Sequence, residues 1–493
     1  MAASPSSLRR RAIVAVLLTI GFYGLALAIA ALLLFLVYAQ VVFLERVNGR
    51  LTLVCIVTAG IILWSILPRI DRFIAPGPRL KPEGNPDLFR EVGDIANRTE
   101  QKPPDEVYLI PGVNAFVAER GGWLGIGRRR IMGIGLPLLQ TLTVAQLRGV
   151  IAHEFGHFYG GDTKLAPWIY KTRQAIVRTV QGLGDKSWLY FLFRWYGTMF
   201  LRVTHGISRH QELVADRLAA QLVGSRPFVE GLRTIHGVAP AFQSFLDHEV
   251  APAVLAGYRP SLMEGFSLFL SQPSVAEAIR RTVEHEVADS ETNPYDTHPS
   301  LKERIEAVQP LPPGADGTGD AWALSLLPNV PELEPELFAS LVGKERAAGL
   351  APVEWQSAAT KVWLPHWEKA VHHYAAGLQG VTAAALPSLL QPPGKLGAMI
   401  QQSAGRPLPD DEQRSGAIHI AAAALAVALA RQGWALDTLP GAPVSLQKGD
   451  IRIEPYDVVP LLATGELAAD VWQSQCQQAG IADLRLDLVS GAE

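Results

Sequence analysis

The sequence predicts a mainly α-helical (α+β) protein with one small β-sheet, an N-terminal membrane-spanning helical hairpin and an extra C-terminal domain. Three observations carry this prediction. Two long apolar runs open the chain. Three short β-patterned segments precede a strongly helical stretch. A proline- and glycine-rich segment then separates that stretch from a further patterned region. The expected boundaries are a membrane region at 1–75, a central domain at 76–309, a linker at 310–335 and a C-terminal domain at 336–493.

Residues 12–39 carry no charge, which is ample length for a helix crossing a hydrocarbon layer. Residues 51–67 form a second uncharged run, short but sufficient with its flanks. A cleaved signal peptide is the competing reading of the first run, but the apolar stretch is too long for one. A soluble secreted form would need a processed N-terminus beginning after residue 39. Arg9, Arg10 and Arg11 precede the first run, and Arg69, Arg72, Arg79 and Lys81 follow the second. Only Arg46 and Arg50 lie between them. The positive-inside rule therefore predicts an integral protein of the inner or plasma membrane, with both ends of the hairpin and the central domain on the cytoplasmic side. The two cysteines, Cys55 and Cys476, cannot form a disulfide framework and suit a reducing compartment. A net charge of −3 leaves no nucleic-acid footprint.

Residues 106–110, 113–118 and 130–134 read as short strands split by glycine-containing turns. Gly125-Ile126-Gly127 before Arg128 lacks the third glycine of a phosphate loop and opens no helix, so it reads as a turn. Thr143-Val144-Ala145-Gln146 is a capping-box pattern, and Val144, Leu147, Val150 and Ile151 then give the apolar stripe of a packed helix. Gly160-Gly161 supplies a stop.

Inside that helix stands His153-Glu154-Phe155-Gly156-His157. Residues four apart share a helix face, so both imidazoles point toward one place at zinc-ligand spacing. Glu154 lies on the same turn and can act on a zinc-activated water without being a ligand. The bland alternative is two histidines satisfied in a core helix. A catalytic zinc needs a third ligand, and Thr163 stands where an extended motif would place a third histidine. Glu212 and Asp216, four apart in a later helical segment, supply a carboxylate ligand and a group that orients a histidine from behind. His205 and His210 compete for the third position, and a solvated acidic face paired with Arg209 and Arg217 is the alternative to both.

These blocks resemble a known family, the membrane-bound gluzincin peptidases that include HtpX and the CAAX prenyl proteases. Asn114-Ala115-Phe116 resembles the family's strand before the zinc helix. Asp162 falls where the family commonly has aspartate. Ser208-Arg209 with Glu212, Ala215 and Asp216 resembles its next block, and Thr297-His298-Pro299-Ser300 with Arg304-Ile305 its last. The resemblance implies a zincin-like metallopeptidase fold, with one zinc ion per chain on His153, His157 and Glu212, and Glu154 as the catalytic carboxylate. It also implies Asp162 and Asp216 behind the ligands and His298 as an oxyanion donor, the alternative for His298 being a loop histidine before a proline. Arg304 is expected to fix a helix rather than touch substrate. Asn114 and Ala115 are expected to border the cleft and hold an extended polypeptide by β-augmentation, a purely structural hairpin being equally compatible. The prenyl proteases enclose their site in many more spans than this chain supplies, which favours the HtpX side.

Residues 188–203, aromatic but carrying Arg194 and Arg202, read as an interfacial or lipid-facing helix rather than a third span. Residues 417–431 read as a helix too short to cross comfortably, and 451–454 as a strand. His366, His372 and His373 lack acidic or thiol partners at metal spacing. The expectation is an integral-membrane zinc endopeptidase acting on polypeptides, membrane proteins among them, and in contact with the bilayer. The resemblance points to membrane-protein quality control. The alternative is a non-catalytic metalloprotease-like adaptor that binds polypeptides.

Overall fold

The computed structural model describes residues 5–43, 47–67, 73–120, 129–158, 166–289, 298–314, 319–390, 395–403 and 406–487. They form two compact units. The first comprises Met1–Gly237 with Arg281–Val330, and the second Val238–Arg280 with Pro331–Glu493.

In the first unit, helix α1 (Pro5–Val42) and helix α2 (Gly49–Ile66) form the N-terminal hairpin. Both contain stretches long and apolar enough to cross a membrane. Their helical state is expected from composition: neither run contains proline, and in hydrocarbon every backbone N–H must find a carbonyl within its own segment. Asn48 starts α2 by accepting a hydrogen bond from the Leu51 N–H.

A four-stranded sheet follows, built from β1 (Arg79–Leu80), β2 (Glu106–Ile110), β3 (Ala115–Arg120) and β4 (Arg129–Gly135), with helix α3 (Pro86–Arg98) between its first two strands. The spatial order is β1-β2-β4-β3. β2 and β4 run parallel, and β3 lies antiparallel on β4 as a terminal strand. The three predicted strands are all present, shifted by at most two residues at their ends. Gly135 is required where β4 ends, because an added Cβ would stand 2.2 Å from the Gly112 carbonyl oxygen. After the short helix α4 (Leu136–Thr141), α5 (Val144–Gly156) begins with both reciprocal hydrogen bonds of the predicted capping box, Thr143 Oγ1 to Gln146 N–H and Gln146 Oε1 to Thr143 N–H.

Helices α6 (Ala166–Leu183) and α7 (Trp188–Val223) complete the part of this unit that concerns the site. The sequence treats 188–203 and the Glu212 segment as separate pieces, whereas the structure runs them as one helix. The first half of α7 joins α1, α2 and α6 in one apolar cluster that includes Phe22, Ile62, Ile176, Phe193 and Phe200. Its second half packs along α5.

The segment expected to be a linker is partly built into the first unit. Ser225 and Arg226 donate to the carbonyls of Pro312 and Pro313, and Val144 N–H donates to Ala321. Gly224 and Gly314 both have positive φ, 98° and 77°. They approach so closely that a Cβ on Gly224 would lie 2.5 Å from Gly314 Cα. Proline and glycine here mark tight backbone contact rather than an extended tether. The unit boundaries also differ from those expected, since residues 238–280 group with the C-terminal part.

The second unit is built on helix Asp410–Arg431. This helix is long and apolar enough to count as a third candidate span, but residues 420–429 are buried all round within the unit's core. Helices Leu364–His373 and Pro455–Thr464 pack on it, and a three-stranded antiparallel sheet that includes Ile451–Ile453 adjoins it.

Candidate active site

Helix α5 carries His153 and Glu154 in its last turn, and His157 caps its C-terminal end. The two imidazole rings lie 4.8 Å apart, nearly perpendicular. His153, Glu154 and His157 form a group whose metal-capable atoms lie within 4.8 Å of one another. Across from them α7 presents Glu212. One of its carboxylate oxygens lies 3.5 Å from His153 Nε2 and the other 3.7 Å from His157 Nε2. A tetrahedral cation with bonds of about 2.1 Å needs ligand atoms roughly 3.4 Å apart, so these spacings fit a common centre. Glu212 Oε2 is buried with the His153 and His298 ring nitrogens at 3.5 and 3.1 Å but, among the described residues, no well-aligned hydrogen bond, so a lone pair remains for a cation. The third-ligand role therefore suits Glu212 better than His205, which is buried earlier on the same helix, or His210. Glu154 is the nearer carboxylate in sequence, but it is held from the side by the Val117 backbone N–H of β3, in line with a role other than ligand.

Behind the imidazoles lies a buried charge network. His153 Nδ1 is 2.9 Å from Asp216 Oδ1, which puts the ring proton on Nδ1 and leaves the Nε2 lone pair toward Glu212. Arg304, from the helix Leu301–Val308, donates twice to Asp216, at 2.9 and 2.6 Å, and its guanidinium lies 3.9 Å from Glu212 Oε2. Burial raises the Asp216 pKa, but the hydrogen bonds from Arg304 and His153 outweigh it and hold the carboxyl at about 2. Burial lowers the His157 pKa to about 4, so this ring is neutral and can offer a lone pair. Burial pushes Glu154 up to about 7, against the pull of His153, giving a carboxyl suited to exchanging protons near neutrality.

His298 Nδ1 stands 3.1 Å from Glu212 Oε2, with its side chain 64% exposed. It is thus a polar donor at the rim of the site. Asp162 lies outside the described residues, as do the Gly160-Gly161 stop, Arg128 and the glycines before it. Arg304, expected only to fix its helix, reaches the ligand network directly.

The strand expected to border the site does so, for β3 is terminal in the sheet and packs on α5. Asn114 is exposed, but its carbonyl accepts from Gly135 N–H. Alternation along an antiparallel pair then turns the main-chain groups of Ala115 and Val117 away from β4. Ala115 lies in this terminal strand, while the Asn114 backbone is engaged by Gly112 and Gly135 and so is not available to a substrate strand.

One contributor was not read from the sequence. Gly156 faces Ala215 on α7, and an added Cβ would lie 2.8 Å from Ala215 Cα. The pair lets α5 and α7 approach closely enough for Glu212 to reach both imidazoles. The signal was present as two small residues on the faces that carry the ligands.

Residues 82–311 match the family model described as Peptidase family M48. These residues resemble an M48-type peptidase domain. The chain is 27% identical over 200 residues to a Protease HtpX homolog of Bacillus pumilus, covering 36% of this chain and 62% of that protein. It is 24% identical over 230 residues to Protease HtpX of Idiomarina loihiensis, covering 40% and 72%. A Protease HtpX homolog of Acaryochloris marina is 27% identical over 227 residues, covering 42% and 74%. The chain thus spans 62% of the Bacillus pumilus relative's length. No solved structure matches it. The similarity to HtpX proteases agrees with the two apolar N-terminal helices, which are candidate membrane spans.

Proposed function

We propose that this chain is an integral-membrane zinc-dependent endopeptidase that hydrolyses peptide bonds in polypeptides, with one zinc ion held by His153, His157 and Glu212. The observation that carries the reading is the Glu212 carboxylate facing both imidazole Nε2 atoms, at 3.5 and 3.7 Å, from a different helix. A bound zinc ion would supply Lewis acidity, lowering the pKa of a water molecule and polarising the scissile carbonyl.

The chain's own residues do the rest. Glu154 takes the proton of the attacking water and passes it to the leaving amine, work that suits a carboxyl whose proton affinity burial raises. His298, at the rim, donates to the oxyanion that develops on the former carbonyl oxygen. Asp216 and Arg304 fix the tautomer and orientation of His153. The main-chain groups of Ala115 and the Val117 carbonyl pair with an extended substrate strand, which gives grip with little demand on side chains. The N-terminal hairpin holds the peptidase domain at the cytoplasmic face, where polypeptides from the same membrane are within reach. Quality control of membrane proteins fits that placement.

The test uses the full-length protein in detergent or vesicles with an unfolded polypeptide substrate. Glu154→Gln should abolish cleavage, by 10³-fold or more as an order of magnitude, while the variant still binds one zinc by elemental analysis. Unchanged cleavage would defeat the assignment of Glu154. A wild-type protein with neither cleavage nor zinc would leave the adaptor reading standing instead.

A further inference from the structure

The two imidazoles of the candidate centre are held in unequal ways. His153 lies within the last turn of α5 and rests against Asp216 at 2.9 Å. His157 follows the final residue of that helix. Among the described residues its one carboxylate neighbour is Glu212 at 3.7 Å, on the side where a metal would sit, and nothing accepts a hydrogen bond from its ring. Helix ends fray more readily than helix bodies, so the aim of this imidazole depends on what grips the chain just past it.

That grip falls on the next residue. The Phe158 N–H closes a tight turn by donating to the Phe155 carbonyl at 2.9 Å. Its half-buried ring carries the Arg130 guanidinium carbon 4.6 Å from the ring centroid. A cation over an aromatic face at this distance is attracted by the ring quadrupole, and more strongly where water is excluded. The Arg130 side chain is only 11% exposed.

Arg130 is itself fixed within the sheet. Its Nη1 donates to the Lys102 carbonyl at 2.6 Å, its Nη2 to Glu119 at 3.3 Å, and its backbone N–H to Asp105 at 2.7 Å. Glu119 stands directly across from it on β3. Nε is buried and, among the described residues, meets no acceptor, which leaves that part of the guanidinium to the ring. A planar cation anchored in β4 thus holds the residue beside a candidate ligand.

We propose that Arg130 is a positioning residue for the metal centre. Stacked on Phe158, it holds the turn after α5 so that His157 Nε2 stays beside Glu212. The inference rests on the zinc reading above and adds a support for the imidazole that Asp216 does not contact. Through Glu119 the same side chain ties the terminal strand to that turn, so the edge that would hold substrate and the second imidazole share one anchor.

The test uses the full-length protein in detergent, stripped of metal and titrated with zinc against a chromophoric chelator. A parallel sample is loaded with cobalt, whose visible absorption reports ligand geometry. Phe158→Leu removes the ring and leaves the hydrogen bonds of Arg130, whereas Arg130→Met keeps the stem and removes the charge. Each should weaken zinc binding roughly tenfold, the scale of ordering one residue's backbone before the metal arrives, and should shift the cobalt bands. The double variant should lose no more than the worse single one, because both remove the same contact. Arg130→Lys should recover part of the loss, since an ammonium can still sit over the ring. A purely structural pair would lower the denaturation midpoint of Phe158→Leu but leave its zinc affinity and cobalt bands as in the wild type. That result, or losses that add in the double variant, would overturn the proposal. Should Arg130→Met fail to fold, Phe158→Leu decides alone. A wild-type protein that takes up neither metal would overturn the zinc reading and the positioning role with it, whereas normal uptake by every variant would overturn the positioning role only.

Discussion

Asp216 is fully buried and ionised, with Arg304 on one side and His153 on the other. Its place was legible in the sequence, because Glu212 and Asp216 are one turn apart and a histidine ligand usually needs an acceptor behind it. Asp216→Asn should keep the volume but weaken the hold on the His153 proton. Zinc affinity should fall by roughly 10–100-fold, measured by competition with a chromophoric chelator. Gly156 is the opposite case, a residue whose task the motif conceals. Motif spacing describes which side chains converge, and it is silent on how near two helix axes must come. Gly156→Val should force α5 and α7 apart at a cost of about 1–3 kcal/mol in denaturant unfolding, and zinc affinity should fall with it. Adding Ala215→Gly should recover only part of the loss. It removes the Cβ that would stand 2.9 Å from the new atom, but not the Cα at 2.8 Å.

Among the elements, α5 was the most readable. Its capping box and apolar stripe are local signals, and both reciprocal hydrogen bonds formed. Thr143→Ala should cost about 1 kcal/mol of stability by chemical denaturation, since it leaves the Gln146 N–H without its acceptor. The length of α7 was less readable, because what joins its halves is contact with two different sets of partners: apolar helices along the first half and α5 along the second. The segment 310–335 misled for a related reason. Its prolines and glycines do forbid a regular helix or strand at the start, but they do not decide whether the backbone is solvated. Here the carbonyls of Pro312, Pro313 and Ala321 accept from neighbours instead. Likewise the alanine-rich helix Asp410–Arg431 has span-like composition because a core helix surrounded on every side is as apolar as one surrounded by lipid.

For the whole molecule, the proposed cytoplasmic orientation rests on the basic residues flanking the hairpin. A fluorescent protein fused after Glu493 should fold and fluoresce as a cytoplasmic reporter, while a phosphatase that needs oxidising conditions should stay inactive at the same position. The reverse pair of results would put the peptidase domain on the other side. The sequence also conveyed that two substantial bodies exist, but not how residues 238–280 divide between them, since grouping by contact depends on partners far away in the chain.

Helix α7 runs unbroken from Trp188 past Glu212, about 36 Å of rise between those two residues. A rod of that kind transmits tilt rather than absorbing it. Its exposed aromatic first turns and its buried carboxylate are thereby mechanically joined, so a load on the former also moves Glu212 relative to the paired imidazoles.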